Sequence, residues 1–476
     1  MSAADQRSFK ERADAAVADS GLKVAIERTT GNAERKRAVA VKAFPEFEAA
    51  RARGRAIKDH VIANLDHYLE TFERNATAAG AQVHWAATDA EARAIVTRIC
   101  LDAEAKIVTR AKSMLGEEIG LPDALAEAGI ERVETDLAEH IIQLAGERPS
   151  HIVWPAMHRT REQVAELFDA GHQPPPTAHD PASMVQSARR VLRDKFLRAD
   201  VGISGANFLV ADTGATVTVT NEGNAELTTT PPRIHIVTAG IEKLVPSTAH
   251  AFALLRLLVR SATGGELTQY TTFHCGPKRP GDADGPEEMH IVLVDNGRSR
   301  MLGDEFREML RCIRCGACMN HCVIYRQIGG HAYGGVYPGP MGAVLTPVLE
   351  GLSKARDLPF ACTMNGRCAE VCPVEIPLPT LLRAWRGRSW REGLEKAPYR
   401  YGLGLWAMVA RRPRLYRLAS GIGVRALRLF GGDGWIARLP LAGSWTAHRD
   451  LPKPAGRTFM EQYQAGRTKP EKEDRK

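Results

Sequence analysis

Seven of the nine cysteines lie in one stretch of the chain, between residues 312 and 372. The first four are spaced C-x2-C-x2-C-x3-C and the next three C-x5-C-x3-C-P: Cys312, Cys315, Cys318, Cys322, Cys362, Cys368 and Cys372. Steps this short let consecutive thiolates converge on one iron–sulfur cluster, while the fourth cysteine of a run reaches the neighbouring cluster. The spacing therefore predicts two iron–sulfur clusters.

The crossover pattern divides the seven thiolates unequally. Cluster one takes four of them: Cys312, Cys315, Cys318 and Cys372. Cluster two is left with Cys322, Cys362 and Cys368, because Asn365 stands where a repeated C-x2-C spacing would place a cysteine. We expect the first cluster to be [4Fe–4S]. The second is either [3Fe–4S], or [4Fe–4S] with Asn365, water or another ligand on its fourth iron.

Disulfides and structural zinc are the alternatives for so many cysteines. Disulfide frameworks are typical of small secreted domains, and this chain has 476 residues. Zinc usually takes paired C-x2-C units, and the first run has more thiolates than one tetrahedral ion needs. Cys100 and Cys275 lie apart from the runs and are predicted to be ordinary thiols; His274 beside Cys275 suggests a metal or nucleophile site only weakly.

Length predicts two or three domains, and the composition is ordinary for a soluble globular protein. The formal charge is +8, and basic residues gather after the cysteines. The N-terminal residues lack the apolar region of an export signal, and we find no run of about 18 apolar residues. We therefore expect a cytoplasmic protein, with peripheral contact to the inner face of the membrane as an option.

The rest of the chain divides into segments by its pattern of helix and strand signals. Residues 1–65 are predicted to be helical, with an interruption at Pro45 and a basic run interpreted as a solvated helix face. Residues 66–297 alternate between strands and helices, which indicates an α/β domain on a largely parallel sheet. Residues 298–395 form a mostly helical ferredoxin-type domain, and 396–476 a basic segment with a disordered end.

Within the α/β segment the apolar runs predict individual strands. A helix is expected over 88–100, with Thr88 or Asp89 as its N-cap. The segment 206–227 resembles a hairpin, and a short helix at 304–310 should precede Cys312. The strands are predicted at 82–85, 106–109, 132–135, 151–154, 234–237 and 289–295.

Two loops at strand ends are candidate ligand sites, Gly202–Asn207 and Asn221–Asn224, because open α/β sheets bind ligands there. Small residues allow close backbone approach, and Glu222 could act as base, nucleophile or hydrogen-bond acceptor. A plain polar turn explains the second loop equally well. We find neither a Walker lysine nor a G-x-G-x-x-G that opens a helix, so a standard nucleotide fingerprint is absent.

Arginine dominates the segment from residue 385 to residue 428, where aromatic and aliphatic residues are interleaved. A basic amphipathic segment of this kind fits an anionic membrane surface or an acidic partner subunit. A solvated basic face on ordinary helices is the alternative, and nucleic-acid binding is the weaker option because no fold for it accompanies the charge.

Several motifs of the α/β segment together resemble the lactate-utilization (LUD) domain: Ser-Gly-Ala-Asn at 204–207, Ala-Asp-Thr-Gly at 211–214, Thr-Asn-Glu-Gly-Asn at 220–224 and Ala-Gly-Ile-Glu-Lys-Leu-Val-Pro at 239–246. With the cysteine segment and basic tail, the chain resembles the lactate utilization protein B family. The resemblance implies a fold similar to sugar-phosphate isomerases and CoA transferases. It also implies an iron–sulfur subunit that passes electrons during conversion of L-lactate to pyruvate, working with a Cys-Cys-Gly-type iron–sulfur protein and a LUD-only protein.

Two other functions compete with electron transfer in lactate oxidation. The LUD domain could itself be a transferase or isomerase, with Glu222 in its site and regulatory clusters. The chain could also serve glycolate or glycerol-3-phosphate oxidation, but such subunits usually carry Cys-Cys-Gly repeats, and no Cys-Cys pair occurs here.

Overall fold

The computed structural model describes residues 7–430, 432, 434–439, 443–446 and 449–467. The chain divides into two compact units, Met1–Glu392 and Gly393–Lys476. The predicted disordered end, 469–476, lies outside the described residues. In the first unit the α-helices are α1 (Phe9–Ala18), α2 (Ser20–Lys42), α3 (Phe47–Ala63), α4 (Leu65–Ala78), α5 (Asp89–Asp102), α6 (Met114–Glu118), α7 (Leu121–Glu127), α8 (Leu137–Ala145), α9 (Arg161–Gly171), α10 (Pro181–Arg198), α11 (Asn224–Thr229), α12 (Thr248–Ala262), α13 (Ala317–Asn320), α14 (Val323–Ile328), α15 (Gly339–Glu350), α16 (Arg367–Glu370) and α17 (Leu378–Arg391).

The first unit is built on a parallel sheet of six strands in the order β1-β10-β7-β4-β2-β3. Helices cover both faces, and an apolar core lies on each side of the sheet. The predicted α/β fold is thus confirmed. The strands of this unit are β1 (Gln82–Ala86), β2 (Ile107–Arg110), β3 (Glu131–Glu134), β4 (Val201–Gly205), β5 (Phe208–Val210), β6 (Ala215–Thr220), β7 (Ile234–Gly240), β8 (Leu244–Val245), β9 (Tyr270–His274) and β10 (Glu288–Val294).

A second sheet has the order β8-β5-β6-β9. Its centre is the predicted hairpin, in which β5 and β6 pair antiparallel with Phe208 opposite Val217. Gly214 has φ 71° in the connecting turn, a left-handed conformation that glycine adopts without strain. Thr88 caps α5 as expected, since its hydroxyl accepts a hydrogen bond from the Glu91 amide at 3.2 Å.

The N-terminal helices pack against the rest of the first unit. Helix α1 lies against the 3₁₀ turn His331–Tyr333, α2 against α14, and α3 against α12. The chain between α2 and α3 breaks at the predicted place, because Pro45 cannot donate the amide hydrogen bond that a helix interior requires. These helices therefore contact both the α/β domain and the cysteine segment.

Helices of the cysteine segment are short, apart from α15 and α17, which pack against each other. The helix expected over 304–310 is a 3₁₀ helix, Arg307–Arg311, so the prediction was wrong in type and start. After the last cysteine the chain forms the helix α17, Leu378–Arg391.

The second unit contains the longer helices α18 (Ala397–Ala410) and α19 (Pro413–Arg428), which pack against each other. Among the described residues, none of the helices is both long enough and apolar enough to cross a membrane. The remaining elements are β11 (Trp435–Ile436), α20 (Gly443–Thr446), β12 (Leu451–Pro452) and α21 (Phe459–Arg467).

Candidate iron–sulfur site

The two cysteine runs have the same local backbone. The third residue of each, Arg314 and Met364, has φ 61°, and glycine follows two residues later with φ 76° at Gly316 and 85° at Gly366. A short helix begins directly after each glycine, α13 in the first run and α16 in the second. Position 365 is therefore the structural counterpart of position 315.

Asn365 takes the place of a cysteine and keeps part of its hydrogen bonding. Its side-chain Oδ1 accepts the Arg367 amide at 3.2 Å, as the Cys315 thiol interacts with the Ala317 amide in the first run. Cys315 is buried, whereas Asn365 is exposed. The second run is thus open to solvent at the position where the first is closed by a thiol.

The structure brings the seven cysteines together in two groups. One cavity is lined by Cys312, Cys315 and Cys318 together with Cys372, which comes from the second run. Apolar side chains, including those of Met341 and Ile376, complete its wall. The other group has Cys322 close enough to Cys362 for their charges to interact, and Cys368 within the same range of both. This grouping matches the crossover pattern.

Burial makes these thiols poor acids. It raises the pKa of Cys315 and of Cys368 to about 12 and that of Cys372 to about 11. Such thiols carry protons at neutral pH, so a metal must displace the protons to obtain thiolate ligands. Among the described residues no three His, Cys, Asp or Glu side chains are placed to share one metal ion. In a cubane, by contrast, each thiolate binds a different iron atom.

Backbone amides point at the sulfur atoms. Cys372 Sγ accepts the Ile376 amide at 3.3 Å, and Cys362 Sγ accepts the Met364 amide at 3.3 Å. Hydrogen bonds of this kind strengthen when the acceptor is an ionised thiolate, and they tune the potential of a bound cluster. The surroundings therefore fit iron–sulfur ligation.

Tyr333 supplies a further donor. Its side chain is buried, its hydroxyl has no oxygen or nitrogen partner among the described residues, and it lies next to the Cys322 thiol. A buried hydroxyl whose available acceptor is a neutral thiol is poorly satisfied, because sulfur replaces its lost bonds to water only weakly. A sulfur-rich anionic group between the two runs would satisfy it.

A loop of the α/β domain covers the first run. The strand predicted at 151–154 was wrong: this stretch is a bend, closed by a hydrogen bond from the Ser150 amide to the Pro155 carbonyl at 3.0 Å. Ile152 lines the cluster-one cavity, and His151 Nε2 lies 3.1 Å from Asn320 Oδ1. The flanking Pro149 and Pro155 were the signal against a strand.

His151 has a fixed hydrogen-bonding role in this loop. Its Nδ1 accepts the amides of Val153 and Trp154, at 2.9 and 3.1 Å, so its Nε2 carries the proton and donates to Asn320. Burial, with the Lys112 charge adding to it, lowers the pKa of His151 to about 3. The neutral ring therefore keeps its hydrogen bond between the α/β domain and Asn320 of the first cysteine run at neutral pH.

Three cations lie close enough to Cys312 for their charges to interact with it: Lys58, Lys243 and Arg314. Lys58 is buried and donates to the backbone carbonyls of Glu242 and Leu244. Burial lowers the pKa of Lys58 to about 8. A buried ammonium whose hydrogen bonds go to carbonyls needs a nearby negative charge, and thiolates on a cluster would supply one.

Carboxylates balance only part of this charge. Arg298 binds Glu118 through two nitrogens at 2.8 Å and Glu242 at 2.6 Å, and Arg314 lies 3.3 Å from Glu242. Burial opposes ionisation of Glu242, but the two guanidinium groups outweigh it and lower its pKa to about 2. The four cations (Lys58, Lys243, Arg298 and Arg314) outnumber the two carboxylates, so negatively charged thiolates are favoured beside them.

The N-terminal helices add two arginines to this region. Arg37 is buried and donates to the Val371 carbonyl at 3.1 Å, and Arg51 donates to the Cys372 carbonyl at 3.1 Å. The basic run on α2 is therefore not entirely a solvated face: Arg35 and Lys36 are exposed as expected, but Arg37 contacts the cysteine segment. Sequence alone could not separate these residues, since neighbouring positions on a helix face different directions.

The candidate loops of the α/β domain have local roles in the structure. Glu222 is exposed, and its carboxylate accepts hydrogen bonds from the Thr220 hydroxyl and the Asn221 amide, at 3.2 and 3.1 Å. A Cβ at Gly202 would lie 1.8 Å from the Thr228 carbonyl oxygen, so this glycine makes room for the protein's own backbone. The polar-turn interpretation describes these contacts well, and a catalytic role for Glu222 stays a prediction.

His274 and the two isolated cysteines lie away from the cysteine runs. The His274 ring is 4.9 Å from that of His235, and burial lowers the pKa of His274 to about 4. Cys275 is exposed and Cys100 is buried in the core. These placements agree with ordinary thiols.

Three protein families match consecutive parts of the chain. The LUD domain matches residues 69–294, the 4Fe-4S dicluster domain matches 308–376, and the C-terminal domain of lactate utilisation protein B matches 391–467. Together with the parallel sheet and the two cysteine groups, they define an iron–sulfur protein that carries a LUD domain.

Curated relatives match the chain over nearly its whole length. "Lactate utilization protein B" of Bacillus licheniformis is 40% identical and covers 96% of each chain; "Lactate utilization protein B 1" of Bacillus mycoides is 41% identical, covering 96% of this chain and 95% of its own. The chain therefore belongs to the lactate utilization protein B family. The "Uncharacterized electron transport protein YkgF" of Escherichia coli K12 is also 40% identical, over 95% of each chain.

Proposed function

We propose that the protein is the electron-transfer subunit of a system that oxidises L-lactate to pyruvate. The observation that carries the proposal is the separation of seven cysteines into two groups, each of which combines cysteines from both runs. When bound, two iron–sulfur clusters would accept and release single electrons. The names of the relatives, lactate utilization protein B and electron transport protein, support this role.

Cys312, Cys315, Cys318 and Cys372 would hold cluster one, as a [4Fe–4S] centre. Cys322, Cys362 and Cys368 would hold cluster two, with the exposed Asn365 beside its remaining iron. Cluster two is then either [3Fe–4S] or [4Fe–4S] with a non-cysteine ligand. Burial and the amides that point at the sulfurs would set the two potentials.

Lactate oxidation releases two electrons and two protons per pyruvate, and a one-electron carrier cannot take them in one step. A partner must therefore perform the two-electron step and deliver electrons singly. We propose that the partners are a Cys-Cys-Gly-type iron–sulfur protein and a LUD-only protein, and that the complex operates in the cytoplasm, where thiols stay reduced.

Anaerobic reduction kinetics test this function. The purified chain, loaded with clusters, is mixed with L-lactate alone and with L-lactate plus the two partner proteins, and cluster bleaching is followed by stopped-flow absorbance. We expect bleaching only with partners present, and no response to D-lactate. Turnover of a CoA thioester or a sugar phosphate by the chain alone, without bleaching, would instead favour a catalytic LUD domain.

Iron and acid-labile sulfide analysis of the same preparation tests the cofactors separately. About eight iron atoms per chain support two [4Fe–4S] clusters, and about seven support one [3Fe–4S] cluster. A preparation that contains zinc and no sulfide would contradict the assignment, whatever the outcome of the lactate assay.

A further inference from the structure

Helix α18 exposes an apolar sequence. None of its residues is buried, although the helix contains two tyrosines, two leucines, a tryptophan and a methionine. Tyr401 is 79% exposed, Trp406 62% and Leu405 61%. Ordinary soluble helices bury such side chains on one face, and exposed apolar patches of this kind mark sites of interaction. The surface of α18 is therefore expected to have an occupant.

Helix α19 and the residues after it extend this surface. Leu415, Leu418 and Ile422 follow the spacing of one helix face, and Leu418 and Ile422 are 61% and 59% exposed. Leu429 and Phe430, directly after the helix, are also exposed. Helices α18 and α19 form a helical hairpin, and we call the exposed apolar side chains between residues 399 and 430 the apolar hairpin surface.

The charge of the hairpin has one sign. Residues 397–430 contain seven arginines and no lysine, aspartate or glutamate. Arg425 forms an ion pair with Glu461 of α21 at 2.7 Å, within the same unit. Arg400 lies on α18, Arg411 and Arg412 lie between the helices, and the remaining four lie on α19 beside its apolar positions: Arg414, Arg417, Arg425 and Arg428.

We propose that α18 and α19 bind the surface of an anionic lipid bilayer. Leucine, isoleucine and aromatic side chains would enter the boundary between headgroups and acyl chains, and the arginines would contact lipid phosphates. Tyrosine and tryptophan prefer this depth because one end of the ring is apolar and the other polar. Both helices are too short to span the hydrocarbon, and helices with a basic flank and an apolar face lie in the interface plane.

An acidic protein partner is less suited to this surface. On α18, Tyr401 and Leu405 lie on one side, while Tyr399 and Trp406 lie on another, and all four are exposed. A rigid partner would have to be shaped to both sides of the helix, whereas fluid lipid adapts to an apolar face of any width. The excess of seven positive charges over 34 residues also matches the diffuse negative potential of an anionic leaflet.

Vesicle co-sedimentation tests the proposal with the full, cluster-loaded chain. We expect binding to vesicles of phosphatidylglycerol and phosphatidylcholine at equal parts, at least tenfold weaker binding to phosphatidylcholine alone, and a steep fall as salt is raised. The double variants Leu405→Glu/Trp406→Glu and Arg414→Glu/Arg417→Glu should each reduce binding at least tenfold.

Matched controls lie on α10 of the first unit. Leu197 is 69% exposed and Arg189 and Arg193 are exposed, so Leu197→Glu and Arg189→Glu/Arg193→Glu change the same chemistry elsewhere. They should bind vesicles like the unaltered chain, with all variants retaining the cluster absorbance. Absence of binding to anionic vesicles, or hairpin variants that bind as well as these controls, would overturn the proposal and favour a protein on this surface.

Discussion

The two cysteine runs place equivalent residues on the same backbone but in different surroundings. Arg314 and Met364 share φ 61°, so the chain turns in the same way at both. Around the first run the α/β domain and the N-terminal helices contribute Ile152, Lys58 and Arg37. The second run leaves Asn365 exposed. The first run is thus enclosed by other parts of the protein and surrounded by cations, whereas the second run is partly exposed to solvent.

For the two clusters that we propose, this difference predicts different tasks. A cluster surrounded by cations gains stability when it accepts an electron, since added negative charge is attracted to them. The cations should therefore raise the potential of a cluster held by the first run. Cluster two, next to the surface, is the better placed for exchange with a partner.

The largest expected effect comes from making the first run resemble the second. Cys315→Asn removes the thiolate whose counterpart is Asn365. We expect about one iron atom fewer per chain and a new three-iron EPR signal, because three thiolates hold three irons more readily than four. Lactate-driven bleaching should fall at least tenfold.

Cys275→Ser is the matched control, since it removes an exposed cysteine outside both groups. Its iron content should equal that of the unaltered chain. If Cys315→Asn also retained all its iron and its EPR spectrum, the assignment of Cys315 as a ligand would be wrong.

The reverse change, Asn365→Cys, should affect only cluster two. The backbone already holds position 365 like position 315, so a cysteine there can reach the open iron without rebuilding the loop. If cluster two is [3Fe–4S], iron should rise from about seven to about eight atoms per chain and the three-iron signal should disappear. Asn365→Ala should leave that signal in place. A rise in iron content with the alanine variant would show that the missing thiolate at position 365 is not what prevents cluster two from binding a fourth iron.

The sequence predicted the α/β fold and the cysteine grouping because both depend on local pattern. Alternating apolar runs specify strands, and C-x2-C steps specify which sulfurs can meet. Lys58 and Lys243 could not be found in this way, since they approach Cys312 from helix α3 and from the turn after β7, far apart in sequence. Only the packing of α3 on the α/β domain brings them together.

The strand predicted at 151–154 failed for a related reason. Ile152 is buried, as the pattern suggested, but it is buried against the cysteine segment instead of within the sheet, and Val153 and Trp154 are only half-buried. An apolar run indicates that its residues are buried, but it does not indicate which part of the protein they pack against. Pro149 and Pro155 are the local evidence that the sheet could not be that partner.

The smallest expected effect tests the charge difference directly. Lys58→Met keeps much of the side-chain volume and removes one positive charge near Cys312. Since fewer cations then favour the added electron, the midpoint potential of cluster one should fall by roughly 60 mV, about 1.4 kcal/mol for one electron. Cluster two should keep its potential in the same redox titration followed by EPR.

The variant should also lose about 1 to 3 kcal/mol of stability, because the carbonyls of Glu242 and Leu244 lose their donor.

Lys42→Met, at the exposed end of α2, provides the control and should leave both potentials unchanged. The stability loss comes from the lost hydrogen bonds of Lys58 and the potential shift from its lost charge, so the two effects are measured separately. A shift of equal size in both clusters would mean that the charge acts through the whole unit. The cations around the first run would then have no specific effect on its cluster. The two runs would differ only in the residue that takes the position of Cys315, which is Asn365 in the second run.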